Sequence, residues 1–242
     1  MRVRGGVVRR FNRKPGGGDG RAAIRLILAA LCAAAFAVAV AAPAGAVAVR
    51  QGLFQTYEKR SSKTEIFLKW KSVMRRSSAE RRRRSDRCSS RNDTGCAIER
   101  WRRFLDGQRR QPPMAQLRSV HAFVNRTAYI TDNDNYGTVD YWATPREFFT
   151  RGGDCEDYAI TKYLSLKSLG WSADRMRIVV LIDRRKRQAH AVLAVYRGGK
   201  AYILDNQLAA VTTDTEIGHY RPVYSINERF WWFHIPQQPA AN

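Results

Sequence analysis

The chain has 242 residues, 44% of them apolar and 11% aromatic, with a formal net charge of +22. That apolar fraction excludes wholesale disorder, and the length suits one modest domain behind a targeting segment. The charge favours an anionic partner of some kind without naming one.

Residues 1–46 differ in composition from the remainder. Eight Lys or Arg and one acid, Asp19, precede and flank an apolar run from Leu26 to Ala42, and Ala44-Gly45-Ala46 supplies a small-x-small site. This order predicts a secretory signal peptide at 1–46, with residues 47–242 as the mature domain. An uncleaved anchor is the alternative, since 17 apolar residues lie at the lower edge of spanning length. Cleavage would remove eight of 43 bases and one of 21 acids, leaving a charge of +15 and no stable membrane insertion. Export and the separation of aromatics from the basic runs argue against nucleic acid as the partner.

Cleavage would also remove Cys32, leaving Cys88, Cys96 and Cys155. Cys88 and Cys96 enclose a short polar loop and, in an oxidising compartment, predict a local disulfide. Cys155 is then the unpaired thiol, either buried and inert or reactive.

Residues 47–70 carry apolar positions without a clear period and predict a loosely organised lead-in, followed by a basic, solvated stretch over 71–87. Residues 97–105 and 114–129 have helical spacing. In the second, Leu117, Val120, His121, Val124 and Ala128 share a face, with His121 as a packing histidine. Asp132 to Asn135 reads as a turn-rich loop lacking the glycine and distal glutamate of an EF-hand. Thr144, Pro145 and Glu147 make a helix start. A second helix begins at Asp154, with Asp157 at the reciprocal capping position and Gly170 at the stop. Strands are expected at 177–182, 190–197 and 200–205, and the aromatic stretch 224–234 is expected to cover an open side of the sheet.

The position of Cys155 points to chemistry. The first turn of a helix offers free N–H groups and the positive end of the macrodipole, which favour a thiolate. Asp154, Glu156 and Asp157 oppose it. Either those acids only cap the helix, or they hold a cation, and clustered carboxylates suit calcium. If Gly198-Gly199 is a two-residue turn, Arg197 pairs with Lys200. Asp205 then comes opposite Val192, two residues from His190 on the same face, roughly 7–8 Å away at the backbone. The same face carries Val192, Ala194 and Ile203, on which the Cys155 helix is expected to pack. That register allows Cys155 as nucleophile, His190 as base and Asp205 as its orienting group. A one-residue slip would put His190 and Asp205 on opposite faces and leave two unrelated polar residues. His219 and His234 are weaker candidates for the base. Arg184 to Arg187 form a solvated loop or one lip of a cleft preferring acidic substrate segments.

Gly152-Gly153-Asp154-Cys155-Glu156-Asp157-Tyr158, Gln188-Ala189-His190-Ala191-Val192-Leu193, Leu204-Asp205-Asn206 and Tyr224-Ser225-Ile226-Asn227 resemble the bacterial transglutaminase-like cysteine proteinases, which include LapG-type periplasmic proteases. Tyr141-Trp142-Ala143-Thr144-Pro145 and the Cys88/Cys96 pair belong to the same resemblance. It implies an α+β, papain-like or transglutaminase-like core with the nucleophile at a helix N-terminus packed on an antiparallel sheet. It implies the triad Cys155, His190 and Asp205, and calcium held by Asp154, Glu156 and Asp157. It also implies a periplasmic protease acting on a protein substrate, a large surface adhesin cut at paired alanines, and sequestration by an inner-membrane cyclic-di-GMP receptor. The same triad would serve an amidase or transamidase, and the charge alone would serve a non-catalytic basic binding protein. The long basic N-region and the Arg-rich runs at 75–87 and 184–187 depart from the family pattern.

Overall fold

Short apolar runs rich in β-branched residues, parted by turns, give the second half of the sequence its sheet. The computed structural model describes residues 52–82 and 94–237. The expected export segment, Cys32 and Cys88 lie outside the described residues.

Among the described residues seven antiparallel strands form one sheet in the order β1-β7-β6-β2-β3-β4-β5. They are β1 (Thr56–Ser61), β2 (Met176–Asp183), β3 (Gln188–Arg197), β4 (Lys200–Leu204), β5 (Thr212–Thr213), β6 (Tyr220–Ile226) and β7 (Trp231–Pro236). Among the described residues six α-helices accompany it: α1 (Leu68–Arg82), α2 (Thr94–Gln108), α3 (Pro113–Val124), α4 (Asp132–Tyr136), α5 (Pro145–Arg151) and α6 (Cys155–Ser168). No helix among the described residues is long and apolar enough to cross a membrane.

Local chemistry sets the helix starts. Thr144 accepts from the Glu147 N–H while Glu147 accepts from the Thr144 N–H at 2.8 Å, closing a capping box on α5. Asp157 Oδ2 accepts from the Asp154 N–H at 3.3 Å at the start of α6. Gly152 has φ 82, and a Cβ there would sit 2.7 Å from the Ala128 carbonyl. This crossing ties Tyr129 to Gly153 in a parallel bridge, so the 128–130 segment runs beside the start of α6.

The sheet is buried on both faces. α6 and α3 pack with Ile178, Leu193, Val195, Leu204 and Ile226 in the main core. On the opposite face Val179, Leu181, Val192, Ala194 and Ile203 are covered by Leu53, Ile217 and Tyr220. The Cys155 helix therefore packs on the face opposite to the expected Val192, Ala194 and Ile203 surface.

Three other differences have physical causes. The expected lead-in holds an edge strand, β1, whose TYEKRS sequence has no clean alternation and gains its order by pairing with β7. The aromatic stretch does not cover the sheet; it supplies β6 and β7, joined at Tyr224↔Phe233 and Ser225↔Trp232. Helix α3 ends at Val124, so Ala128 is exposed while Leu117, Val120, His121 and Val124 are buried.

Candidate active site

The hairpin between β3 and β4 turns at Gly198-Gly199 with Arg197 opposite Lys200 and Leu193 opposite Leu204. This register brings His190 and Asp205 together: Nε2 of His190 lies 2.8 Å from Oδ1 of Asp205, and both side chains are essentially inaccessible, at 1% and 0%. Asp205 accepts two further bonds, from Tyr220 Oη at 2.5 Å and from the Gln207 N–H at 2.9 Å. Burial alone would raise the Asp205 carboxyl; its bond to His190, the His190 charge, Tyr220 and Gln207 outweigh it and hold the pKa below the ordinary value.

A carboxylate cannot donate, so His190 Nε2 carries the proton in this pair and Nδ1 keeps its lone pair. The Gln207 side-chain amide stands 3.3 Å from that Nδ1. Cys155 begins α6, half-buried, and is the free thiol among the described cysteines. Its Sγ donates to Glu156 Oε2 at 3.3 Å, and the Ala191 backbone, next to His190 in β3, bonds the sulfur and favours its thiolate. Burial, then the charges of Glu156 and Asp154, push the thiol well above its usual range.

The acids around Cys155 form a larger group than the sequence window 154–157 reveals. Ligand oxygens of Asp132, Asp154 and Asp157 lie within 4.8 Å of one another, as do those of Asp132, Asp140 and Glu156. Asp154 and Glu156 form a third such set with Cys155. Burial first, then the bond to and charge of Asp154, push Glu156 up to about 9. Burial and the charges of Asp154 and Asp132 take Asp157 to about 8, against the Ala143 N–H that bonds it. Two buried oxygens, Oδ1 of Asp132 and Oδ1 of Asp154, have no hydrogen-bond partner. Both oxygens of Asp157 already accept backbone N–H groups, from Ala143 at 2.7 Å and from Asp154. Oxygens on one calcium ion lie at most about 5 Å apart, so the donor set, its spacing and its two orphaned oxygens fit calcium.

Asp132, Asp140, Tyr220 and Gln207 were not anticipated. Asp132 sits in α4, capped by Thr131, where a loop was expected; the acid spacing in Asp132-Asn133-Asp134 was the available signal. His121 and His234 serve the core. His121 Nε2 meets the Leu208 carbonyl at 3.0 Å; His234 bridges Thr56 and Ser225, each at 2.9 Å. Burial holds both near a pKa of about 4.

An α+β sheet carrying a free thiol at a helix start beside a buried histidine–carboxylate pair defines a papain-like, transglutaminase-like cysteine peptidase. The chain belongs to the bacterial transglutaminase-like cysteine proteinases, whose family profile matches residues 85–238. Among solved structures it is similar to calcium-bound LapG of Legionella pneumophila, at 30% identity and a TM-score of 0.55, over 67% of this chain and 86% of that one. EGTA-treated LapG of the same organism matches at 30% identity and a TM-score of 0.54, over 66% and 84%. No curated protein matches.

Proposed function

We propose that Cys155, His190 and Asp205 are the catalytic triad of an exported, calcium-dependent endopeptidase. The observation that carries this reading is the buried 2.8 Å bond between His190 and Asp205 beside the start of the Cys155 helix. His190 Nδ1 takes the thiol proton, the thiolate attacks the peptide carbonyl carbon, and the imidazolium returns the proton to the leaving amine. Water, deprotonated by the same nitrogen, then hydrolyses the thioester. Asp205 keeps the proton on Nε2 and offsets the imidazolium charge; Tyr220 and the Gln207 N–H keep Asp205 in place.

Asp132, Asp140, Asp154 and Glu156 would hold calcium, with Asp157 bracing Asp154 from behind. When bound, calcium supplies positive charge that offsets the carboxylates opposing the thiolate. The unpartnered oxygens of Asp132 and Asp154 support this, and the calcium-bound state of the similar LapG agrees with it. The same reading includes a signal peptide at 1–46, a Cys88–Cys96 disulfide and a periplasmic location. It takes a large surface adhesin as substrate, with biofilm attachment as the process controlled, and an inner-membrane cyclic-di-GMP receptor as the sequestering partner. The similarity to LapG supports the periplasmic location, and the other assignments follow from the sequence and the family resemblance of its motifs.

The test is Cys155→Ala in the full-length protein. Proteolysis should fall by at least about 10³-fold with an unchanged circular dichroism spectrum. Retained cleavage at the wild-type rate would remove Cys155 as nucleophile.

A further inference from the structure

The turn between β2 and β3 consists of four consecutive bases, Arg184, Arg185, Lys186 and Arg187, all exposed. Among the described residues no acid forms an ion pair with any of them. The turn is nonetheless fixed in shape. Asp183, 1% exposed, accepts from the N–H of Arg185 at 2.9 Å and of Lys186 at 3.2 Å. The Arg184 N–H donates to the His219 carbonyl at 3.0 Å, and Arg187 holds a φ of 54. A non-glycine residue in that region costs about 1 kcal/mol, so the turn's shape is maintained against local preference. One of its bases is linked to the reaction centre: Lys186 Nζ donates to Gln207 Oε1 at 2.5 Å, and Gln207 Nε2 lies 3.3 Å from His190 Nδ1.

We infer that this basic turn selects substrates carrying Asp or Glu shortly after the scissile bond. The inference rests on the triad proposed for this site and names its substrate class. Its direction follows from the chemistry. His190 gives its proton to the leaving amine, so the peptide fragment on the C-terminal side of the cut departs past His190, where Gln207 and Lys186 stand. Four like charges held in one turn repel one another, and an acidic peptide segment relieves that repulsion as it binds. Each rim contact is weak and salt-screened, so several acting together give roughly three- to tenfold discrimination.

The experiment digests a proteome-derived peptide library with the calcium-loaded full-length protein and locates the cut bonds by mass spectrometry. Asp and Glu should be enriched at the second to fourth residues after the cut, and the enrichment should fade in 0.5 M salt (about 4 Å screening length). R184Q/R185Q/R187Q should lose the enrichment while cutting neutral sequences at the wild-type rate. No enrichment in the wild type, or its survival in the triple variant, overturns the inference and leaves the peptidase reading standing. Sedimentation with phosphatidylglycerol vesicles that the triple variant alone loses, with an unchanged cleavage profile, assigns the turn to a lipid surface and also overturns it. If the wild type cuts nothing that C155A leaves intact, the triad reading itself fails. Binding of a fluorescein-labelled Asp/Glu-rich decapeptide to C155A then decides the inference: a loss of about threefold or more in the added triple variant supports it, and a smaller loss or equal binding refutes it.

Discussion

Tyr220→Phe isolates the second support of Asp205 without disturbing the imidazole. The tyrosine Oη donates to Oδ2 at 2.5 Å, and Asp205 is fully buried. Phenylalanine keeps the ring, including its edge contact with Phe54 at 5.8 Å, and removes one donor from a carboxylate that no water can reach. Leaving a buried charged acceptor short of a partner costs about 2 kcal/mol, or roughly 4–8 °C in melting temperature for a domain of this size. The cost should depend on pH in a defined sense. Asp205 is held below its ordinary pKa, so its stabilisation is present above the unfolded value of about 3.9 and is lost as pH falls through the folded one. The variant and wild type should therefore differ most at neutral pH and converge in acid. Thermal melts from pH 3 to pH 8, with peptide hydrolysis at pH 7, measure both effects; kcat should drop up to about tenfold with little change in KM. A neutral-pH melting temperature equal to wild type, or a gap that widens in acid, would refute the claim that Tyr220 holds the carboxylate.

The acidic group gives a prediction of opposite sign. Glu156 and Asp157 are raised to about 9 and about 8, and raised acids favour the folded state in their protonated form. In EGTA, stability should be fullest below about pH 4 and should decline as pH rises towards 8–9; millimolar calcium should remove most of that decline. Equal melting profiles with and without calcium count against the site. Glu156→Gln, which deletes one buried like charge, should melt higher than wild type in EGTA and respond little to calcium; a full calcium response would take Glu156 out of the ligand set. Lys162 is fully buried, its Nζ donates to the Leu204 carbonyl at 3.4 Å, and burial lowers its pKa to about 7. A lowered base disfavours its charged form, so this residue adds stability as pH rises from about 7 towards 10.4. Lys162→Met should lack that gain, read as the difference between wild-type and variant melts at pH 6.5 and pH 9.5, and a constant difference would contradict it.

What was legible in the sequence was what short-range chemistry determines. The Thr144 and Asp154 helix starts and the Gly198-Gly199 hairpin are each specified within a few residues, and the hairpin register alone carries His190 to Asp205. The face on which α6 packs was not legible. Both faces of β3 are apolar, Leu193 and Val195 on one and Val192 and Ala194 on the other, because the sheet is buried on both sides. Alternation reports a facing only when one side meets water. β1 failed for a related reason: Glu58, Lys59 and Arg60 look solvated, yet Glu58 accepts from Arg177 at 2.8 Å and the strand completes the sheet edge through β7. The acidic group is the sharper case. Asp154, Glu156 and Asp157 are neighbours in sequence, whereas Asp132 follows the Tyr129–Gly153 bridge and Asp140 precedes Tyr141, whose N–H bonds Asp132; no periodicity encodes either link. Asp157 shares one group with Asp132 and Asp154 while its two oxygens accept backbone N–H groups, so proximity along the backbone showed three acids of the group and hid two.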